Sequence, residues 1–82
     1  MEGILLYDDA SGRYIVQERI NSVITPDSRI EDLHCGDTLQ ISVKKGVYLD
    51  TRIEKDLDDD VFGWYFVGVD RAAALVGHSV II

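Results

Sequence analysis

Residues 38 to 54 alternate with a period of two, and this constrains the fold more than any other feature of the chain. Leu39, Ile41 and Val43 fall on one side of an extended backbone, with Thr38, Gln40 and Ser42 on the other. After Lys44-Lys45-Gly46 the pattern resumes, setting Val47, Leu49, Thr51 and Ile53 against Tyr48, Asp50, Arg52 and Glu54. That repeat belongs to strands with one buried face. Gly46 is free to take the positive φ of a tight turn, so the stretch predicts a β-hairpin.

The flanking sequence extends the same theme. Gly3 to Tyr7 and Arg13 to Gln17 are rich in β-formers, and the turn-forming run Asp8-Asp9-Ala10-Ser11-Gly12 between them makes an N-terminal hairpin. Ser28 and Glu31 have capping-box spacing, Ile30 and Leu33 share a helical face, and Gly36 suits a helix end, which predicts a short helical connector over residues 28 to 34. Lys55-Asp56-Leu57-Asp58-Asp59-Asp60 reads as a charged loop. Gly63 to Val69 reads as a strand, Asp70 caps one turn through Ala72 to Ala74, and His78 to Ile82 forms a last strand. The expected fold is mainly β: five to six strands in a small SH3-like or OB-like barrel or a rolled antiparallel sheet, one domain over residues 1–82.

Composition enters as a set of exclusions. The formal net charge of -7 repels nucleic-acid phosphates, so direct DNA or RNA binding is not expected. No apolar run has the length of a membrane span, and the first residues lack the basic region and cleavage site of a signal peptide; a cytoplasmic protein is expected. The single cysteine, Cys35, agrees with a reducing compartment.

Four groups of residues are candidates for chemistry. His34 and Cys35 are adjacent, but zinc requires four ligands and no nucleophile signature surrounds Cys35. A small buried thiol is expected there, with no metal and no cofactor. Asp58, Asp59 and Asp60 lack the regular spacing of a calcium loop and read as a solvated charge run that also suits a basic partner. Strand alternation turns Tyr48 and Arg52 outward. Trp64 either joins them as part of a binding surface or plugs the core with Tyr65 at its rim. The acidic residues show no spacing that implies an acid and a base in one cleft, and a barrel filled by side chains leaves little pocket, so no enzyme is expected.

The run Leu33-His34-Cys35-Gly36-Asp37, with Thr51-Arg52-Ile53-Glu54 and Gly63-Trp64-Tyr65 downstream, resembles an uncharacterised family of small β proteins. So do Glu2-Gly3-x-Leu5-x-Tyr7 and Gly12-Arg13-Tyr14. Members occur in Gram-positive bacteria, their phages and their conjugative elements. The chain departs from that pattern at Tyr48, where the family tends to carry tryptophan, and over Leu57 to Val61, where the family has a shorter loop. The resemblance implies a phage or mobile-element setting and, by analogy, an inhibitor of a host defence protein.

The expected function is therefore a non-enzymatic protein-binding module, monomeric or a small homo-oligomer in a bacterial host cell, whose partner is a host protein with a basic surface. Tyr48, Arg52, Trp64, Asp58, Asp59 and Asp60 are its expected binding residues. Two alternatives stay open: a small-molecule or nucleotide-binding protein, and an accessory regulatory domain.

Overall fold

The fold is taken from a computed structural model that describes residues 1–21, 23–56 and 63–82. Its strands are β1 (Glu2–Asp8), β2 (Arg13–Glu18), β3 (Ile30–Asp32), β4 (Thr38–Lys44), β5 (Val47–Lys55), β6 (Trp64–Phe66), β7 (Asp70–Arg71) and β8 (Ser79–Ile81). They form one antiparallel sheet in the order β3-β2-β1-β8-β4-β5-β6-β7. The protein is thus mainly β, with a 3-10 turn over Ala72–Leu75. The sheet is rolled but open. Of the eight strands among the described residues, β3 and β7 span only three and two residues, too few for alternation to show in sequence, which is why five or six were expected.

Both expected hairpins form. In the first, Leu5 pairs with Val16 and Tyr7 with Tyr14; in the second, Ile41 pairs with Leu49 and Gln40 with Asp50. The C-terminal strand joins them: β8 lies between β1 and β4, pairing Gly3 with Val80 and Ile41 with Val80. A β-bulge between Ser42 and Lys44 shifts the register near the turn. Leu49, expected in the core, is 39% exposed, because its end of the hairpin is left uncovered while Ile53 at the other end is fully buried.

Leu5, Val16, Ile41, Ile53 and Val80 are completely buried, and Phe66, Tyr14, Leu33 and Trp64 close around them. Rolling brings β2 against β6, strands well apart in the sheet order, through the rings of Tyr14 and Trp64. The turn after Leu33 locks the roll from a second side. The amide of Gly36 donates to the carbonyl of Ile53 at 2.7 Å, and the Ile53 amide donates to the Asp37 carbonyl at 3.0 Å.

The helical connector expected over residues 28 to 34 is instead β3 and its flanks. Ser28 does cap, but it closes a turn: its hydroxyl accepts from the Thr25 amide at 2.9 Å. Glu31 pairs with the guanidinium of Arg29 rather than reaching back along a helix. The cross-strand bonds from Glu18 N–H to the Arg29 carbonyl and from Leu33 N–H to the Tyr14 carbonyl take the backbone groups a helix would have used. A helix this short has little cooperative stability, so the ladder to β2 wins.

Candidate functional site

Tyr48 and Arg52 stand on the outer face of β5, as alternation requires, opposite Ser42 and Thr38 of β4. Arg52 is exposed and its Nε lies 3.2 Å from Glu54 Oε1. Trp64 is on the other face. β6 pairs Lys55 with Trp64 and Ile53 with Phe66, which puts Trp64 on the side of Ile53 and leaves it only 7% exposed. Between the two readings of Trp64, the structure selects the core. Its indole meets Tyr14 edge to face, and the Lys55 ammonium lies 5.5 Å from its ring centroid. The aromatic of β6 that joins Tyr48 and Arg52 on the outer face is Tyr65, which pairs with Glu54 and has the Arg71 guanidinium 6.0 Å from its ring. Asp58, Asp59 and Asp60 lie outside the described residues.

The outer face has two halves of different character. Over β4 to β7 the polar groups satisfy one another: Gln40 donates to Asp50 at 2.9 Å, Arg52 pairs with Glu54, and Arg71 stacks by Tyr65. A shallow cleft of about 490 Å³ opens there beside Asp56, Tyr65, Val69 and Arg71. Over β1, β2 and β3 the outer face groups aliphatic side chains among polar ones. Leu6 pairs with Ile15 and Ile15 with Asp32; Ile4 pairs with Gln17 and Gln17 with Ile30. Ile4, Leu6 and Ile15 are half-buried and do not belong to the core cluster, and Ile30 is 57% exposed.

This aliphatic face was not among the expected site residues. The signal for it is in the chain. Ile4-Leu5-Leu6 and Tyr14-Ile15-Val16 break the period of two, with apolar residues at both parities. Such runs mark strands that are apolar on both faces. In this fold one of those faces is the core and the other looks outward.

A third region lies at one end of the roll, where Ser11, Gly12, Arg13, His34, Cys35, Lys55 and Trp64 border a cleft of about 500 Å³. Cys35, expected to be buried, is exposed, because the His34–Asp37 turn that docks on Ile53 faces its second residue to solvent. Asp37 holds this turn. Its carboxylate accepts from the His34 amide at 2.8 Å and lies 3.6 Å from His34 Nδ1. Among the described residues, no three histidine, cysteine or carboxylate side chains converge as metal ligands, and no helix is long and apolar enough to cross a membrane. Burial, with Tyr7 beside it, pushes the phenol of Tyr14 above the ordinary tyrosine range.

Several residues of the motifs that carry the family resemblance hold the fold. Leu33 enters the core and Gly36 takes a φ of 89° in the docking turn. The Thr51 hydroxyl donates to the Val67 carbonyl at 2.7 Å, and Gly63 and Trp64 are buried. A family model described as "Domain of unknown function (DUF5348)" matches residues 3–82. A crystal structure of a protein from Ruminococcus gnavus is similar over 100% of both chains, with 32% sequence identity and a TM-score of 0.71. No curated protein matches.

Proposed function

The chain belongs to the DUF5348 family, a domain of unknown function, and for this member we propose a non-enzymatic protein-binding module whose partner is a protein with a basic surface. The observation that carries the reading is the outward aliphatic face of Ile4, Leu6, Ile15 and Ile30 on a chain of net charge -7. Apolar side chains grouped on a solvent-facing sheet lose free energy when a second surface covers them, and the surrounding charge selects a cationic one. The setting we propose is the cytoplasm of a bacterial host, with the protein carried by a phage or mobile element and acting as an inhibitor of a host defence protein. Tyr48 and Arg52 lie on the polar half of the same outer surface and belong to the rim of such an interface.

A second reading rests on the cleft at the end of the roll, where Arg13, His34 and Lys55 gather beside Trp64. The guanidinium of Arg13 and the ammonium of Lys55, with the His34 imidazole beside them, suit a small anionic ligand, which the protein would bind and sequester. Native mass spectrometry of the purified protein, alone and after incubation with host lysate, separates the two readings. One stoichiometric protein partner, lost on raising the salt, supports the first. A retained small mass supports the second, and a protein that emerges bare from both preparations sinks the two together.

A further inference from the structure

We propose that β3 is a docking strand, taking an extended segment of the partner as the next strand of the sheet, with a lysine or arginine two positions from an aliphatic residue in that segment. The proposal rests on the protein-binding reading and names the place and chemistry of contact.

β3 is the end strand of the sheet. The Arg29 carbonyl accepts from Glu18 N–H at 2.8 Å and Leu33 N–H donates to the Tyr14 carbonyl at 2.9 Å. In an antiparallel ladder such bonds recur at every second residue, so residues 29, 31 and 33 turn their backbone groups toward β2. Ile30 and Asp32 turn theirs to the open side. Among the described residues nothing pairs with these groups; unpaired edges template an added strand, and natural proteins commonly blunt them with short strands, charged side chains, proline or a bulge. β3 is short and its Glu31 and Asp32 repel anionic strands, but Ile30 is 57% exposed. The connection leading into it displays Ile20, Val23 and Ile24, which are 42%, 56% and 40% exposed.

Charge selects the occupant. The edge and its approach hold Glu18, Asp27, Glu31 and Asp32 against Arg19 and Arg29; Arg29 is paired with Glu31, and Arg19 donates to Ser79. A strand laid along β3 places alternate side chains on the outer face. There an aliphatic residue lies beside Ile30, and a cationic residue two positions along lies beside Asp32. A second copy of this chain is disfavoured, because antiparallel pairing about Glu31 sets that carboxylate against its own equivalent in a dimer of two anionic chains.

The test is a titration of the full chain, followed by amide NMR and hydrogen exchange, with a seven-residue peptide in which valine and lysine take turns at every second position with threonine between them; the control peptide has glutamate in place of lysine. Selective binding of the lysine peptide, with new protection of the Ile30 and Asp32 amides, is expected. Asp32→Asn keeps the edge donor and removes the charge, weakening binding about threefold. Asp32→Pro also removes an N–H that faces away from β2, weakening it about tenfold or more while leaving the ladder bonds in place. If the proline variant unfolds, the wild-type protection pattern and the asparagine variant still decide. Failure of the lysine peptide to bind, equal binding of the glutamate peptide, shifts confined to the Arg13 cleft, or self-association of the chain through β3 overturns the proposal. A lysate partner retained undiminished by Asp32→Pro sinks the docking strand but spares the protein-binding reading. Absence of any protein partner for the wild type sinks that reading itself.

Discussion

The indole of Trp64 and the phenol ring of Tyr14 meet edge to face, their centroids 6.4 Å apart and their planes at 67°, although their strands stand second and seventh in an eight-strand sheet. Hydrogen bonding along the sheet does not bring those strands together; side-chain packing across the roll does. Tyr7, opposite Tyr14 on β1 with centroids 5.0 Å apart, extends the aromatic contact toward the surface.

Truncating Trp64 should therefore loosen the whole roll. Trp64→Ala is expected to lose about 3–5 kcal/mol of stability, a large share of what a domain this small possesses. A double-mutant cycle of Trp64→Leu with Tyr14→Leu should show about 0.5–1.5 kcal/mol of coupling in urea denaturation. Independent effects of the two changes would mean that the ring contact does not hold the roll.

Gly3 is set by a close approach. A Cβ built there would lie 2.3 Å from the Gln17 carbonyl oxygen and 2.8 Å from Val16 Cγ1. Gly3→Ala must push β1 from β2, and a loss of about 1–3 kcal/mol is expected, with weakened amide protection along that ladder. An unchanged urea midpoint would contradict the pairing of Gly3 with Glu18.

The Tyr14 phenol gives the fold an alkaline limit. Its folded pKa is raised, first by burial and then by Tyr7, so the unfolded chain ionises at a lower pH than the folded one. The stabilisation is fully present below the ordinary tyrosine value of 10.0 and is lost as pH rises through the folded value. Tyr14→Phe should flatten the fall in stability above that pH. A wild-type and variant pair with parallel alkaline profiles would rule this out.

Cys35 should react with a thiol reagent in the native protein as fast as an exposed cysteine does, without cooperative unfolding. Cys35→Ser is expected to change stability by less than about 0.5 kcal/mol. Slow modification that tracks global unfolding would place the thiol inside after all.

The hairpin of residues 38 to 55 and the N-terminal hairpin are legible in the chain because each side chain's face follows from its parity, and parity is local. The connector over residues 28 to 34 is not. Ser28, Glu31 and Gly36 carry the local signals of a helix, and those signals lose to backbone bonds with β2, a strand more than ten residues earlier. Trp64 shows the same limit. Its sequence neighbours establish a strand, but whether that strand's odd or even face is inward depends on the pairing of Lys55 with Trp64.

For the interaction surface, the doubled apolar parity of Ile4-Leu5-Leu6 and Tyr14-Ile15-Val16 signals that both faces of β1 and β2 are apolar, yet it does not say that one stays uncovered. Alternation, turn chemistry and charge are properties of neighbouring residues, so the sequence by itself determined a mainly β domain, its two long hairpins and its acidic character. The tertiary structure alone decided the insertion of β8 between β1 and β4, the inward face of Trp64, the exposure of Cys35 and the open edge at β3. Each of these follows from contacts between residues distant in the chain, where the free energy of packing and cross-strand hydrogen bonding outweighs the preferences of any short segment.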